Sequence, residues 1–201
     1  MECGQSAAER GKAAAAAHER FNMFTIPPLA ILAVLSLMIN ESLLHKLLTW
    51  GVLVYSLADT IYVVAVPHCM PSGSRFITVV LHHLVVIYLA LHPIFHPENL
   101  YLTAYYAIVE VNTVCLNIRR AFRWQWSTVA FFATWIVLRL VWYPYLVYHL
   151  HTIMLSQQRP PGSHAWNQVV GTSAALTALN YFWTAEIATD KLGSKNKSKP
   201  S

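Results

Sequence analysis

Residues 76–95 read FITVVLHHLVVIYLALHPIF, twenty positions without an Asp, Glu, Lys or Arg. A bilayer core about 30 Å thick is crossed by roughly 20 residues of helix rising 1.5 Å each. Backbone polar groups in lipid must be satisfied inside the segment, so this stretch is a helix and not a strand. The adjacent histidines His82 and His83 interrupt the apolar run. Ionisable groups at such depth are costly and face the bundle interior or a wet cavity.

Outward from this stretch the same pattern recurs. Residues 47–66 precede it and 100–118 follow it; 21–39 (entered through Pro27 and Pro28), 124–150 (with Pro144) and 166–188 complete six apolar segments. The expected fold is all-α, a polytopic membrane protein with six transmembrane helices in one bundle over residues 21–190. Residues 1–20, including the alanine run 13–17, lack the apolar core of a signal peptide and read as a tail or short surface helix. Residues 191–201 are polar and read as a disordered tail. Composition agrees, since 56% of the 201 residues are hydrophobic and only 11% are charged. An ordinary soluble domain carries about 25% charged residues. Too few polar side chains remain to cover a water-facing surface, and a disordered chain is excluded for the same reason. The net charge of +5 comes from scattered loop residues, so no nucleic acid partner is expected. Cys3, Cys69 and Cys115 are odd in number and far apart, with neither a disulfide framework nor zinc spacing.

Six spans put both termini on one side. That side carries Arg10, Lys12, Arg20, Arg75, Arg119, Arg120, Arg123, Lys191, Lys195, Lys197 and Lys199; the other carries Lys46 and Arg159, and Arg139 lies inside a span. Eleven basic residues against two predict cytosolic termini by the positive-inside rule. Lys197 and Lys199 stand fifth and third from the end, the spacing of a cytosolic dilysine retrieval signal, which places the protein in the endoplasmic reticulum membrane. The sequon Asn40-Glu41-Ser42 falls in a very tight loop and is expected to stay unmodified.

The polar residues inside the spans carry the functional expectation. Asp59, His82, His83, Glu110, Asn112 and Asn180 come from four segments, and each lies six to eight residues from its cytosolic end. At 1.5 Å per residue this is one layer roughly 9–12 Å below the boundary. Tyr106, Glu110, Thr113 and Asn117 share a helical stripe, as do Ser173, Thr177, Asn180 and Thr184; Tyr55, Asp59 and Tyr62 do so over two turns, and Thr78 pairs with His82. Asn112 falls roughly opposite Glu110 and should serve a different neighbour. Arg139 sits deeper, about fifteen residues into its segment, and helical side chains lean toward the N-terminal end. It is expected to reach Glu110 or Asp59, because an unpaired arginine in hydrocarbon is too costly. Adjacent residues diverge by about 100°, so one histidine of the pair at most should aim straight inward. Neither H-x-x-H-H nor H-E-x-x-H spacing occurs, so no metal site is expected, and no cofactor is implied. The same residues also admit a purely structural reading, a buried network that specifies helix packing.

Taken in order, SLADTIYV in the second segment, RFITVVLHHLVVIYLALHP in the third, VEVNTVCLNIRR in the fourth, LRLVWYP in the fifth and ALNYFWT in the sixth resemble the TLC domain, the TRAM–Lag–CLN family. The resemblance runs from about residue 43 to 190. It implies a multipass membrane protein of the endoplasmic reticulum or Golgi concerned with lipid. Members include ceramide synthases, which join a fatty acyl-CoA to a sphingoid base, and smaller proteins linked to membrane lipid composition. This chain is closer to the smaller members: His82-His83 matches the start of the synthase motif, but the fourth segment offers Glu110 and Asn112 where the synthases carry H-D-x-x-D. The expected function is lipid homeostasis through a lipid-binding cavity open to the cytosolic leaflet, with Arg139, Asn180 and Asn112 as lipid contacts. The alternative is acyl transfer from acyl-CoA to a sphingoid base. In it His82 or His83 acts as base or acyl acceptor, and Glu110 or Asp59 holds the imidazole. The basic loop Arg119-Arg120-Arg123 would meet phosphates, although anchoring to anionic lipid is the commoner use of such a loop.

Overall fold

The computed structural model describes the backbone of residues 7–197 and the side chains of residues 9–189. Six helical rods run alternately up and down, and among the described residues there is no strand. Four of them, Glu9–Ile39, Ser42–Ala65, Gly73–Phe95 and Gln125–Ser156, are each long and apolar enough to cross a membrane. The other two are the polar ones. The fourth rod is broken into Leu102–Ala107 and Glu110–Phe122, too short singly, and carries Glu110, Asn112 and Asn117. The sixth runs through His164–Trp166, a π-helical stretch Asn167–Gly171 and Thr172–Lys197. Its Ser173 and Asn180 are buried.

The first helix departs from expectation at its start. It is continuous over Ala7–Ile39, so residues 9–20 are neither a tail nor a separate surface helix. The alanine run is the best helix-forming composition available, and nothing between it and residue 21 breaks the helix. Pro27 and Pro28 lie inside and remove the donors for the carbonyls of Met23 and Phe24. Membrane helices tolerate such gaps where side chains and neighbours supply compensation. At the far end the sixth helix continues to Lys197, where a disordered tail was expected. Lys199 lies outside the described residues, as does Cys3, and so does the Lys197 side chain.

Turns between rods are short and specific. Asn40 takes φ 53° and stops the first helix in the left-handed conformation. Its Oδ1 lies 3.1 Å from Nε2 of His45. Ser72 caps the third helix by accepting from the Arg75 N–H at 3.2 Å. Arg123 ends the fourth rod at φ 52°, so the chain reverses at once into the fifth. Gly51 lets the first two helices approach closely, because a Cβ there would lie 2.8 Å from Cδ2 of Leu29. Replacing Gly51 with valine is expected to push the first two helices apart and lower the melting temperature, with Gly51→Ala milder because the leucine end can yield.

The fifth rod carries a π-helical stretch, Trp135–Trp142, between Gln125–Thr134 and Tyr143–Ser156. The main apolar core lies toward the opposite end from the basic residues and includes Leu102, Tyr106, Tyr143, Leu146, Leu150, Met154 and Leu176. Outward-facing positions are equally apolar: Phe24, Met38, Ile61, Ile77, Phe95 and Val129 are all exposed. That is the inverse of a water-soluble surface and suits contact with lipid tails. Trp124 and Trp126 are exposed at the basic end, where interfacial aromatics belong.

Candidate functional site

At the basic end the rods enclose a cavity of about 1280 Å³. Each rod lends it residues: His18 and Asn22 from the first, Tyr55 and Asp59 from the second, His82 and His83 from the third, Glu110, Asn112, Thr113 and Asn117 from the fourth, Trp135 and Arg139 from the fifth, and Trp183 from the sixth. Asp59, His82, His83, Glu110, Asn112 and Arg139, which come from four of the six apolar segments, therefore share one chamber. Asn180 does not line it. Both histidines line it, although they diverge by about 100° around the third helix.

Asp59 is the centre of the polar network and is 1% exposed. Its Oδ1 lies 2.7 Å from Nε2 of His18 and its Oδ2 lies 3.3 Å from Nδ1 of His83. The second contact is at ion-pair distance but lacks hydrogen-bond alignment. The first helix is thus tied across the chamber to the second and third. His18 also stacks on Tyr62 at 5.6 Å, nearly parallel. Asn22 approaches the same His18 nitrogen at 3.4 Å and accepts from the Tyr55 hydroxyl at 3.0 Å. The His82 ring lies 5.4 Å from the His83 ring and 5.4 Å from Trp183. Its Nδ1 is buried without a hydrogen-bond partner among the described residues.

Arg139 corrects the expectation of a carboxylate partner. Nε donates to Asn112 Oδ1 at 2.8 Å, Nη1 to Asn180 Oδ1 at 3.0 Å, and Nη2 to Thr113 Oγ1 at 3.1 Å. The guanidinium carbon sits 5.1 Å from the centre of the Trp135 ring. The fork is filled by neutral oxygens from the fourth and sixth rods, while Asp59 is already held by two imidazoles. Glu110 lies within electrostatic range of Arg139, but the two form no ion pair among the described residues. Asn112 is itself fixed, donating to Phe131 O at 3.0 Å and Thr134 Oγ1 at 2.9 Å. It reaches the fifth rod and faces the chamber; Arg139 is a neighbour it shares with Glu110, where separate neighbours were expected. Asn180 holds Arg139 from behind and is 2% exposed. π-Helical turns recur at functional sites, and here the stretch begins beside Asn112 and contains Arg139.

Sequence reasoning missed His18, Asn22 and Trp183. Two lie in or next to the segment read as a tail, and the i, i+4 spacing of His18 and Asn22 on a continuing helix was the available signal. The stripes proved mixed: Tyr106 belongs to the apolar core, and Ser173, Thr177 and Thr184 donate to carbonyls one turn back. Among the described residues no three His, Cys, Asp or Glu side chains are grouped to hold a metal ion.

The family model of the TLC domain matches residues 23–189. Neither a curated protein nor a solved structure matches the chain. With the match covering most of the sequence and all six rods, this chain belongs to the TLC domain family.

Proposed function

We propose that this protein serves membrane lipid homeostasis by holding a lipid in the chamber, which opens toward the cytosolic leaflet of the endoplasmic reticulum. The observation that carries this reading is the chamber itself: a large space of mixed lining, with Asp59, His82, His83, Glu110 and Arg139 set among apolar side chains such as Leu29, Val86 and Phe131, between helices whose outer faces are apolar. Polar groups and apolar walls in one space suit an amphiphile. Family membership supports the lipid class. The test is the lipid that co-purifies with the protein, compared with that from the His82→Ala/His83→Ala double variant. The variant is expected to remain folded and to lose or exchange that lipid; unchanged lipid in a folded double variant would refute the reading.

One contact favours an alternative, acyl transfer. Asp59 Oδ2 lies 3.3 Å from Nδ1 of His83, close enough to stabilise an imidazolium formed when His83 acts as a general base. In that reading His83 takes the proton of an attacking amine at a thioester carbonyl, and the thiol departs. Release of free thiol from an acyl-CoA by wild type, absent in His83→Ala, would favour it over binding alone.

Orientation and compartment follow from charge. Tags at both termini are expected to be digested by protease after selective permeabilisation of the plasma membrane. Protection of either would overturn cytosolic termini. Replacing Lys197 and Lys199 with serine is expected to shift part of the protein to the Golgi, as seen by imaging. Complete retention would dismiss the tail as the signal. Asn40, engaged with His45 in a two-residue turn, is expected to show no mobility change on endoglycosidase treatment.

A further inference from the structure

The rim of the chamber has a chemistry of its own. Lys12 from the first helix, Arg75 from the start of the third, and Arg119, Arg120 and Arg123 from the end of the fourth line its mouth. Two are partly neutralised: Arg75 Nη2 lies 3.4 Å from Glu186 Oε2, and Arg120 Nη1 lies 4.0 Å from Glu19 Oε1. Arg119 and Arg123 form no ion pair among the described residues. Arg119 instead lies over two rings, 5.1 Å from the centre of Phe131 and 5.3 Å from that of Phe132. These cation–π contacts hold the guanidinium beside the rings without supplying an oxygen acceptor for its N–H groups. Arg75 and Arg119 are both near enough to Arg120 to repel it. Cations from three helices converge on one opening with too few carboxylates to balance them.

We propose that this rim binds a phosphoryl anion, the head of the amphiphile whose remainder enters the chamber. The proposal rests on the lipid-holding reading and specifies its ligand. A phosphoryl group presents several oxygens and up to two charges, so it can join more than one guanidinium fork at once, which a single carboxylate does less well. Arg119 and Glu110 are nine residues apart on one rod, so the anion sits about 13 Å along the helix axis from the inner polar layer. Anchor and inner layer are thus separate stations, one for charge and one for hydrogen bonding. A general attraction to anionic membrane would not discriminate rim residues from other basic residues at this end. Arg10 and Arg20 provide that contrast, being on the first helix but not lining the chamber.

The test uses the full chain in neutral detergent, with native mass spectrometry and titration of three probes: dioleoyl phosphatidic acid, dioleoylglycerol and inorganic pyrophosphate. Phosphatidic acid is expected to bind one molecule per chain at least tenfold tighter than dioleoylglycerol. R119Q/R123Q is expected to abolish that preference, and R10Q/R20Q to preserve it. Lys12→Glu, in an exposed position on an alanine-rich turn, provides a second rim variant should the arginine pair fail to fold. Displacement of phosphatidic acid by pyrophosphate would assign the site to soluble phosphorylated ligands as well; resistance would assign it to the lipid head. Equal binding of the two lipids, or an equal loss in R10Q/R20Q and R119Q/R123Q, overturns the proposal. If His82→Ala/His83→Ala weakens both lipids while R119Q/R123Q leaves the preference for phosphatidic acid intact, the lipid-holding reading survives and the phosphoryl assignment alone fails. If neither set alters either lipid, both fail.

Discussion

Replacing Arg139 with leucine is expected to lower the stability of the bundle by roughly 2–5 kcal/mol, taking about 0.6–1.7 kcal/mol for each of its three interhelical bonds. The loss is not one of charge alone. Leucine is too short to fill the space and leaves Asn112, Asn180 and Thr113 facing each other without the common donor that joins them. Asn112 retains its bonds to Phe131 and Thr134, so the fourth and fifth rods stay connected. The sixth rod, whose Asn180 is held by Arg139, is expected to loosen first. Arg139→Lys keeps the charge but cannot fork between three oxygens, and should recover less than half the loss. Thermal unfolding in detergent, with hydrogen exchange over residues 172–189, checks both points. Wild-type melting in the leucine variant would show that the three bonds contribute nothing to packing.

Asp59→Ala is expected to release the N-terminal half of the first helix. The His18 contact at 2.7 Å and the His83 contact at 3.3 Å are lost together. A hydrogen bond to a charged group contributes about 1.5–3 kcal/mol, enough to raise local opening by roughly tenfold or more. Trypsin cleavage at Arg10, Lys12 and Arg20 should accelerate accordingly, while cleavage elsewhere holds steady. His18→Ala should reproduce the effect, and in the double variant the two changes should be strongly non-additive, since they remove one interaction. Asp59→Asn, able to accept from one histidine, should fall between. Unchanged cleavage in a folded Asp59→Ala variant would mean that residues 9–20 are held by Tyr62 and the rest of the first helix's packing, without need of the carboxylate.

The fold was legible because hydropathy is a property of long windows, and four rods satisfy it unaided. The polar layer was legible for a related reason: charge deep in a span is rare, so Asp59, His82, His83, Glu110 and Arg139 announce themselves. Their partners did not, because partnership depends on rotations about the helix axes that no single-helix stripe contains. Arg139 found asparagines from two rods, and a π-helical turn altered the phase of the fifth rod between Phe131 and Tyr143. His18 escaped notice because polar flanking residues around it resemble a tail, whereas alanine carried the helix straight through them.

That π-helical stretch has a consequence for how the fifth rod can be altered. Trp135–Trp142 acts as a phase adjuster between two differently committed halves, one presenting Phe131 to the chamber and the other seating Leu146 and Leu150 in the apolar core. Removing one residue there would turn the upstream half by about 100° relative to the downstream half, as one α-helical step requires. Every side chain in the stretch could be kept chemically equivalent and the chamber wall would still be aimed at lipid. Chain length across those eight positions is therefore as much a determinant of the chamber as any side chain that lines it.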